Sequence, residues 1–399
     1  MRPSEAVLAG EGSVPGSVRW LAVLATLGMV GHGLGQTVLG PVLPRVMADL
    51  SIRETAVGVL LAAGSLGFMC GCLLGGFVLD RIGLKPTLLA AWLGVVLSLG
   101  GCALSSRYPE LLVSYFLFGL GSGFIETGLN VLPAQIGGGA WMMNLVHMGY
   151  GVGALTAPMG AGALLQVGRG WRTAFAAVAA LSAVLLVLGA ASRMPSAPSR
   201  HREASPSQPL SRLARNYLVV LSALALLFYV AGEHGMTSWA VLFMEGQYGV
   251  GSLQAGVALS LFWGAILVGR LFQGAVVSRF SLPAVVMASG LISGLAIGGF
   301  ALSSSSGEAY LAATVAGLAA GGIYPNVMIY TNRRFPRQVG VVTGLLSMTA
   351  ATGTFLFQPV VGRVAEVLSL SAGFLILAGA MTAVGACFLP VWLRRSREG

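Results

Sequence analysis

The stretch Gly71-Cys-Leu-Leu-Gly-Gly-Phe-Val-Leu-Asp-Arg81 returns 198 residues later as Gly269-Arg-Leu-Phe-Gln-Gly-Ala-Val-Val-Ser-Arg279. The same shift lays Gly119, Gly123 and Glu126 over Gly317, Gly321 and Tyr324, so one offset works at two separated places. Each copy closes an apolar run of the length a helix needs to cross a hydrocarbon core of about 30 Å at about 1.5 Å per residue. A repeat of six crossings, an even number, sets the second copy in the membrane with the orientation of the first. The expected fold is an all-α membrane protein with twelve transmembrane helices in two parallel six-helix halves.

Working outward from the repeat, the spans read as 20–44, 55–79, 87–104, 109–132, 141–166, 173–191, 217–243, 253–277, 284–303, 309–331, 338–362 and 370–393. Of the 399 residues, 56% are hydrophobic and 9% charged, whereas soluble domains carry about 25% charged residues. A water-facing surface cannot be built from that supply. The runs do not alternate with the period of two that marks barrel strands. Residues 1–191 are expected to form one six-helix bundle and 217–399 the other, joined by a Ser-, Pro- and Arg-rich linker at 192–216 that is too polar to bury. The apolar stretch from Trp20 has too many successors to be a cleaved signal peptide, so the first span is expected to stay in the mature chain.

A net charge of +10 does not point to nucleic acid, because the basic residues are scattered over many short loops. With both termini inside, 16 of the 23 Lys and Arg fall on the inner side, Arg2, Arg200, Arg202 and Arg337 among them. Arg45, Arg53, Arg107, Arg169, Arg172 and Arg363 fall outside, and Arg270 lies within a span. This asymmetry fits the positive-inside rule and places both termini in the cytoplasm of a multi-pass inner-membrane protein. Cys70, Cys72, Cys102 and Cys387 all sit within spans and show no disulfide or metal framework, which reads as small apolar packing.

The turn Gly76-Phe-Val-Leu-Asp80-Arg81-Ile-Gly83-Leu-Lys85 resembles the signature loop of the major facilitator superfamily. The resemblance implies a gate on the inner side, with Gly76 admitting a neighbouring helix and Asp80 facing the N-terminus of the eleventh helix, where the helix dipole favours negative charge. Arg81, Gly83 and Lys85 complete the loop; plain topological anchoring is the other reading. The second copy departs from the pattern with Ser278, Ser281 and Pro283, and Pro133–Gly139 lacks the base often found there, so a symmetric double latch is not expected.

A narrower resemblance, to the fucose/proton symporter branch and its sugar-transporting relatives, rests on three stretches. They are Gly119-Leu-Gly-Ser-Gly-Phe-Ile-Glu126-Thr-Gly-Leu-Asn130, Asn144-Leu-Val-His147-Met-Gly-Tyr-Gly151-Val-Gly153-Ala-Leu-Thr-Ala-Pro158, and Tyr229-Val-Ala-Gly-Glu233-His-Gly-Met-Thr-Ser-Trp239 with Gly269-Arg270 downstream. It implies that Glu126 is a proton or substrate group. Where that branch carries an aspartate four residues before the proline ending its first span, this chain has Gly40 before Pro44.

The residues themselves support a candidate list. Gly119, Gly123, Glu126 and Asn130 share an arc of about 60° on one helix. An ionisable group at bilayer depth costs several kcal/mol unless it faces a cavity or partner, so Glu126 is expected either to exchange a proton or to tie helices together as a neutral carboxyl. His147, on the face of Gly151 and Pro158, can share that proton or simply pack. His32 with Gln36, and Glu233 with Thr237, form polar pairs on the symmetry-related first and seventh spans and are expected to contact substrate, Glu233 having external gating as its other reading. Trp239 offers a face for sugar stacking or an interfacial anchor. Tyr324 and Asn326 stand at the repeat position of Glu126, with Pro325 suggesting a local bend. Arg270 either snorkels to the inner side or pairs with a carboxylate, and is grouped with the gate.

No phosphate-binding loop, metal cluster or nucleophile–base arrangement stands out, so neither an enzyme nor a cofactor-dependent protein is expected. The reading is a monomeric secondary transporter that moves a small polar solute, a sugar being one class, by alternating access with protons as the coupling ion. Proton-driven efflux of drugs or metabolites is the alternative, and a membrane sensor that transports nothing is a third and weaker one.

Overall fold

The computed structural model describes residues 16–136, 139–194, 210–336 and 338–398. Residues 1–15 and 195–209, with Arg2, Arg200 and Arg202, lie outside this set, as do residues 137–138 of the fourth-to-fifth turn, Arg337 and residue 399. Among the described residues there are fifteen helices and no strand. They are α1 (Gly16–Thr37), α2 (Leu39–Leu50), α3 (Glu54–Ile82), α4 (Leu84–Leu104), α5 (Tyr108–Gln135), α6 (Gly139–Gln166), α7 (Trp171–Ala191) and the short α8 (Leu210–Leu213). The second half holds α9 (Tyr217–Tyr248), α10 (Ser252–Arg279), α11 (Leu282–Leu302), α12 (Ser306–Ala320), α13 (Ile323–Asn332), α14 (Val339–Val367) and α15 (Leu370–Glu398).

Eleven stretches are long and apolar enough to cross a membrane, with α1 and α2 counted together and α12 and α13 counted together. The 28-residue α6 makes the twelfth pass; its glycines, Asn144 and His147 dilute its apolarity. The first and tenth passes are each broken, for the same covalent reason. Pro41 brings no N–H to the carbonyl of Thr37, and the helix restarts after Val38. Pro325 brings none to Gly321, and α12 gives way to α13 at Gly321–Gly322. The bend expected at Pro325 therefore falls a turn earlier, at a glycine pair, leaving Pro325 in a first helical turn where its missing N–H does no harm.

The sequence repeat is a repeat of contacts. A Cβ on Gly119 would lie 2.0 Å from the Gly64 carbonyl oxygen, and one on Gly317 2.2 Å from that of Phe262. Gly123 meets the carbonyl of Phe68 as Gly321 meets that of Ile266, and Gly71 meets that of Leu120 as Gly269 meets that of Leu318. All three pairs are related by 198 residues. Small residues let the backbones of α3 and α5, and of α10 and α12, touch without side chains between them.

A second glycine set joins the halves. Gly58 of α3 abuts the Gln358 carbonyl of α14, and Gly362 of α14 abuts that of Glu54. Across the molecule, Gly256 of α10 abuts the Pro158 carbonyl of α6, and Gly162 of α6 abuts that of Ser252. Gly40 of α2 meets the Thr237 carbonyl of α9. All five contacts lie toward the face that carries Arg53, Arg172 and Arg363. Toward the other face, where Lys85, Arg193 and Arg394 lie, Gly76, Gly274, Gly340 and Gly344 have nothing within 4 Å of a would-be Cβ. The halves are zipped at one face and parted at the other, so the space between them opens to the face richer in base.

Candidate substrate and proton site

The midpoint of that space is lined by the centres of α1, α5 and α6 on one side and of α9, α10 and α12–α13 on the other. His32 is buried, and its Nε2 lies 3.5 Å from Glu126 Oε2. Asn130, one turn along α5, donates from Nδ2 to Glu126 Oε1 at 2.9 Å. The carboxylate is held between an imidazole and an amide, with 26% of its side chain still exposed. That combination suits a group that must hold a proton at bilayer depth and also release it.

An aromatic string leads from this cluster into the second half. The His32 ring stacks on Phe68 at 6.2 Å and tilts against Tyr150 at 5.5 Å, and Tyr150 meets Trp263 edge-on at 5.7 Å. Tyr150 lies within electrostatic reach of Glu126, Glu233 and Arg270 together. Tyr324, in the second half, likewise lies within electrostatic reach of both Glu126 and Glu233.

In the second half Glu233 is buried, and it and Arg270 both act electrostatically on Tyr229. Arg270 donates from Nε to the Gly321 carbonyl at 3.3 Å. Pro325 explains why that carbonyl is available, since a helix continuing through Gly321 would have used it. Arg270 is thus tied to the break in the tenth pass and lies among Glu233 and Tyr229, not stretched toward the basic face.

The remaining expected residues fall into distinct places. Gln36 is half-buried a turn above His32. Thr237 is buried and its hydroxyl donates back to the Glu233 carbonyl. His147 is exposed near the open end of α6 and close enough to His32 to affect it electrostatically. Tyr324 pairs its hydroxyl with Ser347 at 3.1 Å. Asn326 is buried and donates to Gln273 Oε1 at 2.7 Å, so its amide is engaged in joining α13 to α10. Trp239 is 0% exposed and donates from Nε1 to Gln358 Oε1. In this conformation it offers neither a stacking face nor an interfacial anchor, because α14 covers it. At Gly40 a Cβ would lie 2.3 Å from the Thr237 carbonyl oxygen, so the first pass has no room there for the acid of the sugar-symporter branch.

The signature loop separates into parts. Gly83 sits at φ 88° between α3 and α4, a backbone that only glycine adopts without strain. Lys85 donates from Nζ to the carbonyls of Ala190 and Ser192 at 2.8 and 2.7 Å, capping α7 within its own half. Asp80 and Arg81 are exposed beside it. The expectation that Gly76 admits a neighbouring helix is not met in this conformation, because nothing lies within 4 Å of a would-be Cβ there.

An inter-half carboxylate contact lies at the opposite face. Glu366, at the end of α14, accepts from the Thr55 backbone N–H at 3.2 Å and approaches Arg53 Nη1 at 3.5 Å. It caps the N-terminus of α3, which is favourable by both hydrogen bond and dipole. Sequence reading missed Glu366, because nothing local marks an acid near a helix end as the cap of another helix. It also missed Tyr150 and His234. Tyr150 was detectable as the residue three after His147 on the same face, and His234 as the neighbour of Glu233 that also acts on His32.

The family model for the Major Facilitator Superfamily matches residues 25–350 and 243–399. An uncharacterized MFS-type transporter of Yersinia pestis is 23% identical over 356 residues, covering 89% of this chain and 91% of the relative. The hexuronate transporter of Bacillus subtilis is 24% identical over 377 residues, covering 87% of this chain and 88% of its own length. Among solved structures, the nucleoside transporter NupG superposes with a TM-score of 0.77 at 15% identity, over 94% of this chain and 99% of that one.

Proposed function

The chain belongs to the major facilitator superfamily and is a multi-pass membrane transporter, and from that premise we propose that it carries a small polar solute of the sugar or sugar-acid class in symport with protons. The observation that carries this reading is Glu126 held between His32 and Asn130, half-open to the space between the halves. A carboxyl so placed binds a proton from the open face. Its protonation state bears on His32, Tyr150 and, through Tyr150, on the groups of the second half.

The solute class follows from the lining. Tyr150 and Tyr324, each part-exposed, supply aromatic faces, while Gln36, Asn130 and Glu233 supply hydrogen-bonding groups. Arg270 adds a cation suited to a carboxylated solute, a chemistry that agrees with the hexuronate transporter among the relatives. Efflux of drugs or amphipathic metabolites is less well supported, because buried charged groups gather at the centre of the path. The positive-inside rule would make the basic, open face cytoplasmic, in a cell inner membrane, with both termini inside. The two six-helix bundles, residues 1–191 and 217–399 about the 192–216 linker, would rock as units in a monomer. The closed face would be held by Glu366 and the glycine seams, and the open face would close on the Asp80 loop.

The test is solute-dependent alkalinisation of the medium in cells or vesicles, with hexuronates and neutral sugars offered in turn. Alkalinisation that disappears in Glu126→Gln is expected. Undiminished coupled uptake in that variant would remove the proton role, and drug resistance on overexpression without any sugar response would favour efflux.

A further inference from the structure

Behind His32, on the side away from the transport path, α1, α4, α5 and α7 enclose a small internal cavity. Its volume, about 10 Å³, is that of one water site. Three of the residues lining it carry a buried polar atom with no hydrogen-bond partner: Nδ1 of His32, Nε1 of Trp92 and Oγ of Ser122. His32 is 6% exposed, Trp92 1% and Ser122 1%. A lone buried polar atom without a partner costs free energy comparable to a lost hydrogen bond. Three around one water-sized void share a single remedy.

We infer that one water molecule is a permanent ligand of this cavity, held by Trp92 and Ser122, and that it is the hydrogen-bond partner of His32 Nδ1. One water can serve all three orphaned atoms. Trp92 Nε1–H can only donate, so it donates to the water oxygen. Ser122 Oγ, whose proton is free to rotate, donates to the water as well. The water then gives one of its own protons to Nδ1 of His32. With Nδ1 accepting, the neutral imidazole carries its proton on Nε2, the nitrogen that faces Glu126 Oε2. When the ring takes a second proton, it enters at Nδ1; the water turns to accept from it and from Trp92 and to donate to Ser122 Oγ, whose own proton rotates away, so the site serves both states with only a hydroxyl rotation.

Trp92 and Ser122 are thereby positioning residues. They act on the Glu126–His32 pair through the water and touch neither the solute nor the path. Ser182, also on the wall, is already satisfied by donating to the Val178 carbonyl. The remaining ionisable groups near His32, namely Glu126 of α5, His147 and Tyr150 of α6 and His234 of α9, are not among the residues that line this cavity.

The role given to the water rests on the proton-coupling reading, but its presence does not. The experiment uses the full chain in lipid nanodiscs. A structure at a resolution that shows waters is expected to place one within hydrogen-bond distance of all three atoms. Nitrogen-15 histidine spectra, with His32 assigned by His32→Gln, are expected to show the Nε2–H tautomer dominating the neutral ring. In Trp92→Phe and in Ser122→Ala the ratio of the two tautomers should fall about fivefold, as loss of one hydrogen bond implies. An empty or apolar-filled cavity, or a His32 tautomer indifferent to both variants, overturns the proposal. If the water and the tautomer shift are found while Glu126→Gln still couples to protons, the transport reading fails and the water site stands.

Discussion

His32 Nε2 stands 3.5 Å from Glu126 Oε2 across the α1–α5 contact, and neither residue has another ionic partner at that distance among the described residues. Asn130 takes the other carboxylate oxygen. A proton arriving at this point has two adjacent acceptors in one buried cluster.

Replacing Glu126 by Gln keeps the hydrogen bond to Asn130 in outline and removes the exchangeable proton. Uphill uptake driven by a pH gradient should be lost, while exchange of labelled for unlabelled solute persists. Solute counterflow in proteoliposomes, measured beside gradient-driven uptake, checks both halves of this statement.

Glu366 and Arg53 provide a contrast at the closed face. The Arg53 side chain is 79% exposed, and an exposed ion pair is screened by solvent and contributes little. The cap that Glu366 gives the α3 backbone adds a hydrogen bond to the helix N-terminus that the ion pair does not supply. Glu366→Gln should therefore shift the molecule toward opening at that face more than Arg53→Gln does. Distances between spin labels placed at the two ends of this seam would report the populations.

The glycine seams make a symmetric forecast. A side chain at Gly58 would strike the Gln358 carbonyl, and one at Gly256 the Pro158 carbonyl. Gly58→Ile and Gly256→Ile should each prevent the zipped face from closing, and so abolish uptake while leaving the protein folded and inserted. Thiol reagents applied from that face should then reach cysteines placed at position 36, where they do not in the parent protein.

Trp239 and Gln358 are buried together, and the Gln358 Nε2 already lacks a partner. Trp239→Phe would leave the amide of Gln358 with no partner at all, at a cost of about 1–3 kcal/mol. A lowered thermal midpoint in detergent, with solute affinity unchanged, is the expected outcome. A fall in affinity without loss of stability would return Trp239 to the substrate path.

How far the site was legible depended on whether a residue's own neighbourhood gave it away. Glu126 was visible because a carboxyl in an apolar run is costly wherever the run folds. The partnership with His32 was not, since it depends on which of several helices packs beside α5. Asn326 had the right repeat position and the right chemistry, yet its amide is taken by Gln273. Trp239 had the right aromatic face, yet α14 covers it. Lys85 belonged to the recognised loop, but its ammonium reaches the end of α7, 105 residues away in sequence for the Ala190 contact.

By itself the sequence determined the solvent, the twelve passes, the parallel halves and the family. The first three follow from run length, charge placement and a repeat, and the family from the resemblance of the Gly76–Lys85 turn, all of them properties of the chain read in order. The bend in the tenth pass was legible through Pro325, whereas the break that Pro41 makes in the first pass was not read from the sequence, though its cause, a missing N–H, is equally covalent. Only the tertiary structure decided which face is zipped, which carboxylate caps which helix, and which three buried polar atoms surround one void. Those outcomes depend on contacts between helices far apart in sequence, where glycines set how closely backbones approach and where each side chain's partner is supplied by another pass.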